Sequence, residues 1–188
     1  LIETGKYLAY LSERFTSRGG RTTRAARLRE LEEAGPDFDL VVNCAGIGAR
    51  ELVPDPDVEP HRGQVAIVAK LDLPYAVVCD DPPLMYAIPR SADCVFGGTN
   101  EVSEDRTIDP ATTQNIVREC ESVLGVKASA LIRARVGLRP GRSSGVRLAS
   151  DKLRDGRTVI HNYGHGGSGF TLSWGCAESV LELCSRDR

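Results

Sequence analysis

Residues 161–175 read HNYGHGGSGFTLSWG, with Gly164, Gly166, Gly167 and Gly169 crowded ahead of what looks like a helix starting near Phe170. Backbone without side chains can approach a flat ligand, and the unpaired amides at a helix start carry partial positive charge that suits an anionic heteroatom. A plain glycine-rich turn between strand and helix gives the same pattern. A metal site does not fit: the chain has three histidines, and His161 and His165 have no carboxylate or cysteine at ligand spacing. In a second stretch, VGLRPGR, Pro140 biases Arg139 toward extended backbone. A guanidinium projecting rigidly from a strand end is suited to bidentate recognition of a carboxylate, the alternative being an ordinary surface arginine. In a third, Gly46-Ile47-Gly48-Ala49-Arg50-Glu51 matches the start of G-x-G-x-x-G. Glu51 at its third position and Pro54 soon after make it a poor pyrophosphate loop, and both a plain turn and a secondary cofactor contact remain open.

The elements that position these residues can be read from periodicity. Thr4 can cap a helix that places Leu8, Leu11 and Phe15 on one face and ends at Gly19-Gly20. A helical turn or two over residues 27–34 precedes the near-continuous apolar run FDLVVNCAG, which reads as a buried parallel strand. From Gly63 to Asn100 the texture changes to QVAIVAK, YAVVCD, LMYAIPR and CVFGGTN, short runs of antiparallel character. Asp109 and Pro110 start a helix whose stripe is Ile116, Val117, Cys120, Val123 and Leu124. The strands ALIRARVGLRP, SGVRLAS and TVIHNYG follow, then a helix over about 170–183 with Leu172, Cys176, Val180 and Leu183 on one face. This order fits two interleaved domains: 1–62 and 159–188 contribute to one, 63–158 to the other.

With 188 residues, 41% hydrophobic content and a formal charge of -2, nothing biases the chain toward nucleic acid or membrane. The start, LIETGKYLAYLSERF, lacks the charged flank and cleavage pattern of a secretory signal. A cytoplasmic, bacterial protein is expected. The six cysteines form no C-x-x-C pair and lie in apolar surroundings, which predicts buried free thiols.

Taken together and in order, NCAG, YAIP, FGGT, VGLRPGR and HNYGHGGSGFTLSWGCA resemble the C-terminal portion of the D-amino-acid oxidase family, which includes D-aspartate oxidase; the resemblance covers nearly the whole chain. It implies an α/β fold in which an FAD-binding Rossmann-like domain, incomplete here, interleaves with a substrate domain built on a mixed β-sheet. By that resemblance Arg139 binds the substrate carboxylate, Tyr86 adds a hydroxyl hydrogen bond to it, and the Gly167 carbonyl accepts from the substrate amine. Ala45, Gly46, Arg139, Gly166, Gly167, Gly169, Phe170 and Thr171 would contact FAD. No G-x-G-x-x-G loop is present, so the resemblance also implies a complementary N-terminal FAD-binding polypeptide.

The reaction implied is oxidative deamination of a D-amino acid by FAD, with dioxygen reduced to hydrogen peroxide and the imine hydrolysed to a keto acid. Cys79 and Asn100 stand near places where D-aspartate oxidases carry extra arginines, and a buried second carboxylate without a cation is costly, so neutral side chains are expected. Glycine-oxidase-like amine oxidation, D-aspartate oxidation and a non-catalytic fragment or assembly subunit are the alternatives. The expected partners are a D-amino acid, dioxygen, the N-terminal polypeptide and a second copy in a homodimer; no metal is expected.

Overall fold

The computed structural model describes residues 2–24 and 27–186. They fall into two compact units. One takes the chain up to residue 24, Gln64–Gly98 and Ile108–Arg135; the other takes Arg27–Gly63, Thr99–Thr107 and Val136 onward. Strands β2 (Val58–Ala69) and β7 (Leu131–Arg142) each run from one unit into the other.

In the first unit, alternation along QVAIVAK puts Ala66 and Val68 on a buried face. The antiparallel strands β3 (Val77–Cys79), β4 (Met85–Pro89) and β5 (Asp93–Gly97) extend that face, with Val65–Ala69 paired to Asp93–Gly97 and Tyr86–Pro89 paired to Cys94–Gly97. Helix α3 (Pro110–Leu124) covers it, and Ile116 and Cys120 join Met85, Ala87, Cys94 and Phe96 in the core. Burial, more than any neighbouring charge, pushes the Cys120 thiol up to about 12.

The start of α3 follows the predicted chemistry. The Asp109 carboxylate accepts the Ala111 and Thr112 amides at 3.1 and 3.0 Å, and Pro110 occupies the first turn. Buried Gln64 ties the same cap to the sheet, accepting from the Asp109 amide at 3.0 Å and donating to its carbonyl at 2.7 Å and to Thr113 Oγ1 at 2.8 Å. Gly125 at φ 66° ends the helix. Helix α1 (Thr4–Ser17) has Glu3, not Thr4, at its cap position with no side-chain cap bond, and it buries none of its residues: Leu8 and Phe15 are exposed.

In the second unit, β1 (Leu40–Asn43) pairs in parallel with β9 (Thr158–Tyr163), which pairs antiparallel with β8 (Arg147–Lys152). The order β1-β9-β8 leaves β1 at an edge, so the strand read from residues 38–46 is shorter than expected, and Phe38 and Val42 are exposed. Glycines 46 and 48 form a 3-10 turn continued by the short helix α2 (Ala49–Leu52), where the plain-turn reading anticipated no helix. Ala49, Val58 and Tyr163 form this unit's core. Residues 27–30 are not helical, and a single 3-10 turn at Leu31–Ala34 replaces the expected helical segment. Helix α4 (Gly169–Arg186) matches its prediction in place, but its apolar stripe is not buried among the described residues. The thiols also depart from expectation: Cys94 and Cys120 are buried, Cys79, Cys176 and Cys184 are half-buried, and Cys44 is exposed.

Removing the α3 cap should be felt globally in the first unit. Asp109→Ala is expected to lower unfolding free energy by about 0.5–2 kcal/mol, read as an earlier urea midpoint with an unchanged denaturant slope.

Candidate functional site

Three of the sequence motifs meet in the second unit, and Pro140 is where they join. Its carbonyl accepts the Gly166 amide at 2.8 Å. Its ring faces Gly46, where an added Cβ would lie 3.8 Å from Pro140 Cγ. The extended backbone forced on Arg139 by the following proline sends the side chain past the glycine loop, since a Cβ on Gly167 would lie 3.6 Å from Arg139 Cδ. The guanidinium then rests over Gly63, where a Cβ would sit 2.2 Å from Nη1. Arg139 Nη1 donates to the Thr99 carbonyl at 3.1 Å and to Asn100 Oδ1 at 3.4 Å. Both partners are neutral, and neither offsets the guanidinium as a carboxylate would.

The ends of β1 and β9 are fixed beside this arginine. Buried Asn43 accepts the Ala45 amide on Oδ1 at 3.1 Å, which shapes the turn into Gly46, and its Nδ2 lies 3.2 Å from His161 Nδ1. Burial, with the Arg147 charge second, lowers the pKa of His161 and favours the neutral ring. His161 meets Tyr163 edge-on, with ring centroids 5.7 Å apart. Gly164, at φ 84°, turns the chain out of β9, and Gly166, at φ 55°, aims its amide at Pro140. His165 Nε2 stands 3.5 Å from Cys176 Sγ, and burial lowers the pKa of this histidine. It thus faces the following helix α4.

Beneath the loop lies a charged cluster. Asp55 is 5% exposed and accepts from the Tyr163 hydroxyl at 2.7 Å, Arg142 Nε at 3.0 Å and the Asp57 amide at 3.1 Å, with Arg147 Nη1 3.8 Å away. Burial acts to raise the Asp55 pKa, but the Tyr163, Arg142 and Asp57 hydrogen bonds together hold it below the usual carboxylate value.

Of the residues singled out from sequence, Arg139, Ala45, Gly46, Gly166, Gly167, Gly169, Phe170 and Thr171 all belong to this unit. Tyr86 belongs to the other, where its ring lies against Gly97; a Cβ there would come within 1.9 Å of Tyr86 Cζ. Sequence reasoning missed Asn43, Asp55, Gly63, Arg142 and Tyr163. Gly63 carried a signal in hindsight, as a glycine inside a strand pattern marks close approach of another group.

The sequence matches the family described as FAD dependent oxidoreductase over residues 1–183. A D-amino-acid oxidase of Rubrobacter xylanophilus is 47% identical over 187 residues, covering 97% of this chain and 57% of that protein. A D-amino-acid oxidase of Streptomyces coelicolor is 42% identical over 190 residues, covering 98% of this chain and 58% of that protein. The chain therefore spans less than two thirds of the length of these relatives. Among solved structures, glycine oxidase from Bacillus cereus superposes with a TM-score of 0.63 at 17% identity over 79% of this chain and 43% of that one, a likeness of fold alone. The chain belongs to the FAD-dependent oxidoreductase family, and its curated relatives just named are D-amino-acid oxidases.

The residues present fit such a cofactor. A Cβ at Gly166 would meet nothing within 4 Å, so bare backbone faces open space at the entry to α4, while Gly164 is filled from behind by the Arg142 stem. Gly166, Gly167, Gly169, Phe170 and Thr171, with Gly46 across Pro140, could face a flat ring there.

Gly63 offers a clean test of the arginine's seat. The atom that a new Cβ strikes is the tip of a flexible side chain, so Gly63→Ala should fold with nearly unchanged stability. The displaced guanidinium should cost about ten- to a hundredfold in affinity for a small monocarboxylate, measured by titration of the flavin-loaded protein.

Proposed function

We propose that this chain carries the substrate-binding and flavin-ring-binding portion of an FAD-dependent enzyme that oxidatively deaminates neutral D-amino acids. The observation that carries the reading is Arg139, whose guanidinium rests over Gly63 without a carboxylate partner among the described residues and whose side chain passes the bare backbone of Gly167. FAD, when bound, supplies the hydride acceptor and passes the electrons to dioxygen, giving hydrogen peroxide. The protein's own residues orient the substrate. Arg139 holds the carboxylate by a charge-assisted, two-point contact, and the Gly167 carbonyl accepts from the substrate amine, which fixes the α-carbon between them. An amine bound neutral needs no side-chain base. The motif resemblance assigns Tyr86 a hydroxyl hydrogen bond to the substrate carboxylate.

Asn100 supports a neutral side chain on the substrate: it stands beside Arg139 as an acceptor where a second substrate carboxylate would require a cation. The pyrophosphate of FAD falls to a complementary N-terminal FAD-binding segment outside these residues, which would also pair with the open edge of β1. On this reading residues 1–62 and 159–188 belong to the FAD-binding domain and 63–158 to the substrate domain. Among the described residues no helix is long and apolar enough to cross a membrane.

Two substitutions test the assignment in flavin-loaded protein. Arg139→Met should abolish useful turnover, since a substrate carboxylate left without a partner costs about 3–5 kcal/mol, while flavin absorbance is retained; near-normal kcat/KM would remove Arg139 from the site. Tyr86→Phe should be milder, weakening substrate binding by about 1.5–3 kcal/mol with little change in Tm. Unchanged affinity would leave Tyr86 a residue of the β4 strand and nothing more.

A further inference from the structure

We propose that Asp55 is a positioning residue that sets where Arg139 and the glycine loop sit, an inference that rests on the reading of Arg139 as the carboxylate-binding cation. Asp55 lies in the link between α2 and β2, far along the chain from Arg142 and Tyr163, and its carboxylate bonds to Asp57, Arg142 and Tyr163 rather than to the residues assigned to substrate or flavin. Its Oδ2 instead joins the ends of two strands. From β9 it receives the hydroxyl of Tyr163, the residue just before Gly164, at 2.7 Å. From β7 it receives Arg142 Nε, three residues after Arg139, at 3.0 Å.

The same Arg142 then acts on the loop by volume. A Cβ on Gly164 would come within 2.8 Å of Arg142 Cβ and 2.9 Å of Cδ, so the loop leaves β9 directly over the arginine stem. Two residues later the Gly166 amide reaches the Pro140 carbonyl at 2.8 Å, closing a small circuit: Asp55, Arg142, Pro140, Gly166, Gly164, Tyr163 and back to Asp55. Arg139 and Gly167 are each one residue outside this circuit. The circuit therefore helps set their separation, alongside the seat of the Arg139 guanidinium on Gly63 and the Thr99 carbonyl.

Arg147 reinforces the arrangement from β8, donating to the Tyr163 hydroxyl at 2.9 Å. The Asp57 carboxylate stands 3.6 Å from Arg142 Nη2 and anchors Ser144 in the following turn. Because Asp55 is almost fully buried, loss of its charge leaves two guanidinium groups without their shared anion, and the strand ends are free to separate.

The test uses flavin-loaded protein with its complete FAD-binding domain, and propionate, which carries the carboxylate of D-alanine without the amine. Asp55→Asn and Arg139→Lys are made singly and together; Tyr163→Phe, which keeps the ring's packing and removes only the hydroxyl, stands in should the Asn variant fold poorly. Kd for propionate is read from the change in flavin absorbance, and hydrogen exchange is followed over residues 164–169. Each single change should weaken propionate about tenfold, and Asp55→Asn or Tyr163→Phe should speed exchange in the loop. The double variant should be little weaker than Arg139→Lys alone, because a misplaced lysine has nothing further to lose. Additive losses in the cycle, or unchanged loop exchange, would overturn the positioning role while leaving Arg139 in the site. Unchanged affinity in Arg139→Lys would instead remove the carboxylate reading, and the inference with it.

Discussion

A carboxylate taken out of water must find its compensation inside the protein, and in the second unit that requirement falls on Asp55. Its partners Arg142 and Tyr163 are 87 and 108 residues away in sequence, so satisfying one charge obliges the ends of β7 and β9 to meet. Much of the surrounding sequence then has a mechanical reason. Gly164 gives way to the Arg142 stem, Pro140 stiffens the strand end and lends its carbonyl to Gly166, and the glycine at 63 clears a bed for the Arg139 guanidinium. Because the Asp55 pKa is held below its unfolded value, the cluster's contribution is fully present at neutral pH. It is lost as pH falls through the lowered folded-state pKa.

The contrast between Arg139 and Arg142 shows how charge is allotted. Arg142 is committed to Asp55 and Asp57, whereas Arg139, three residues earlier on the same strand, is met among the described residues by a carbonyl and an amide oxygen. Ion pairing fixes the first in place. Leaving the second without an anion keeps an electrostatic site available for a ligand, and the neighbouring loop offers backbone in place of side chains.

Local chemistry was legible in the sequence wherever neighbours along the chain decide the outcome. The Asp109-Pro110 start of α3, its Ile116 and Cys120 positions and the alternating runs of the first unit all follow from periodicity and capping. Arg139, Gly166 and Gly167 stood out because proline and glycine restrict or free the backbone at those points, but spacing left a surface arginine and a plain turn open, and their assignment to substrate and flavin came from the motif resemblance. The Asp55 cluster was not, since an aspartate between two prolines reads as a turn and nothing in a local window reveals partners on distant strands. The stripes of α1 and α4 were read as falling on one face of each helix, yet Leu8, Phe15 and Leu172 are exposed and β1 has an open edge. Periodicity reports that a face is apolar; what covers it is a matter of tertiary structure.

The central claim, that this site presents D-amino acids to a flavin, is tested most directly by mixing the flavin-loaded protein with D-alanine or L-alanine in the absence of oxygen and recording the visible spectrum. The account predicts rapid bleaching of the oxidised flavin by D-alanine and none by the L-enantiomer. Equal bleaching by both, or a spectrum that neither changes while free flavin reductants still act, would contradict it.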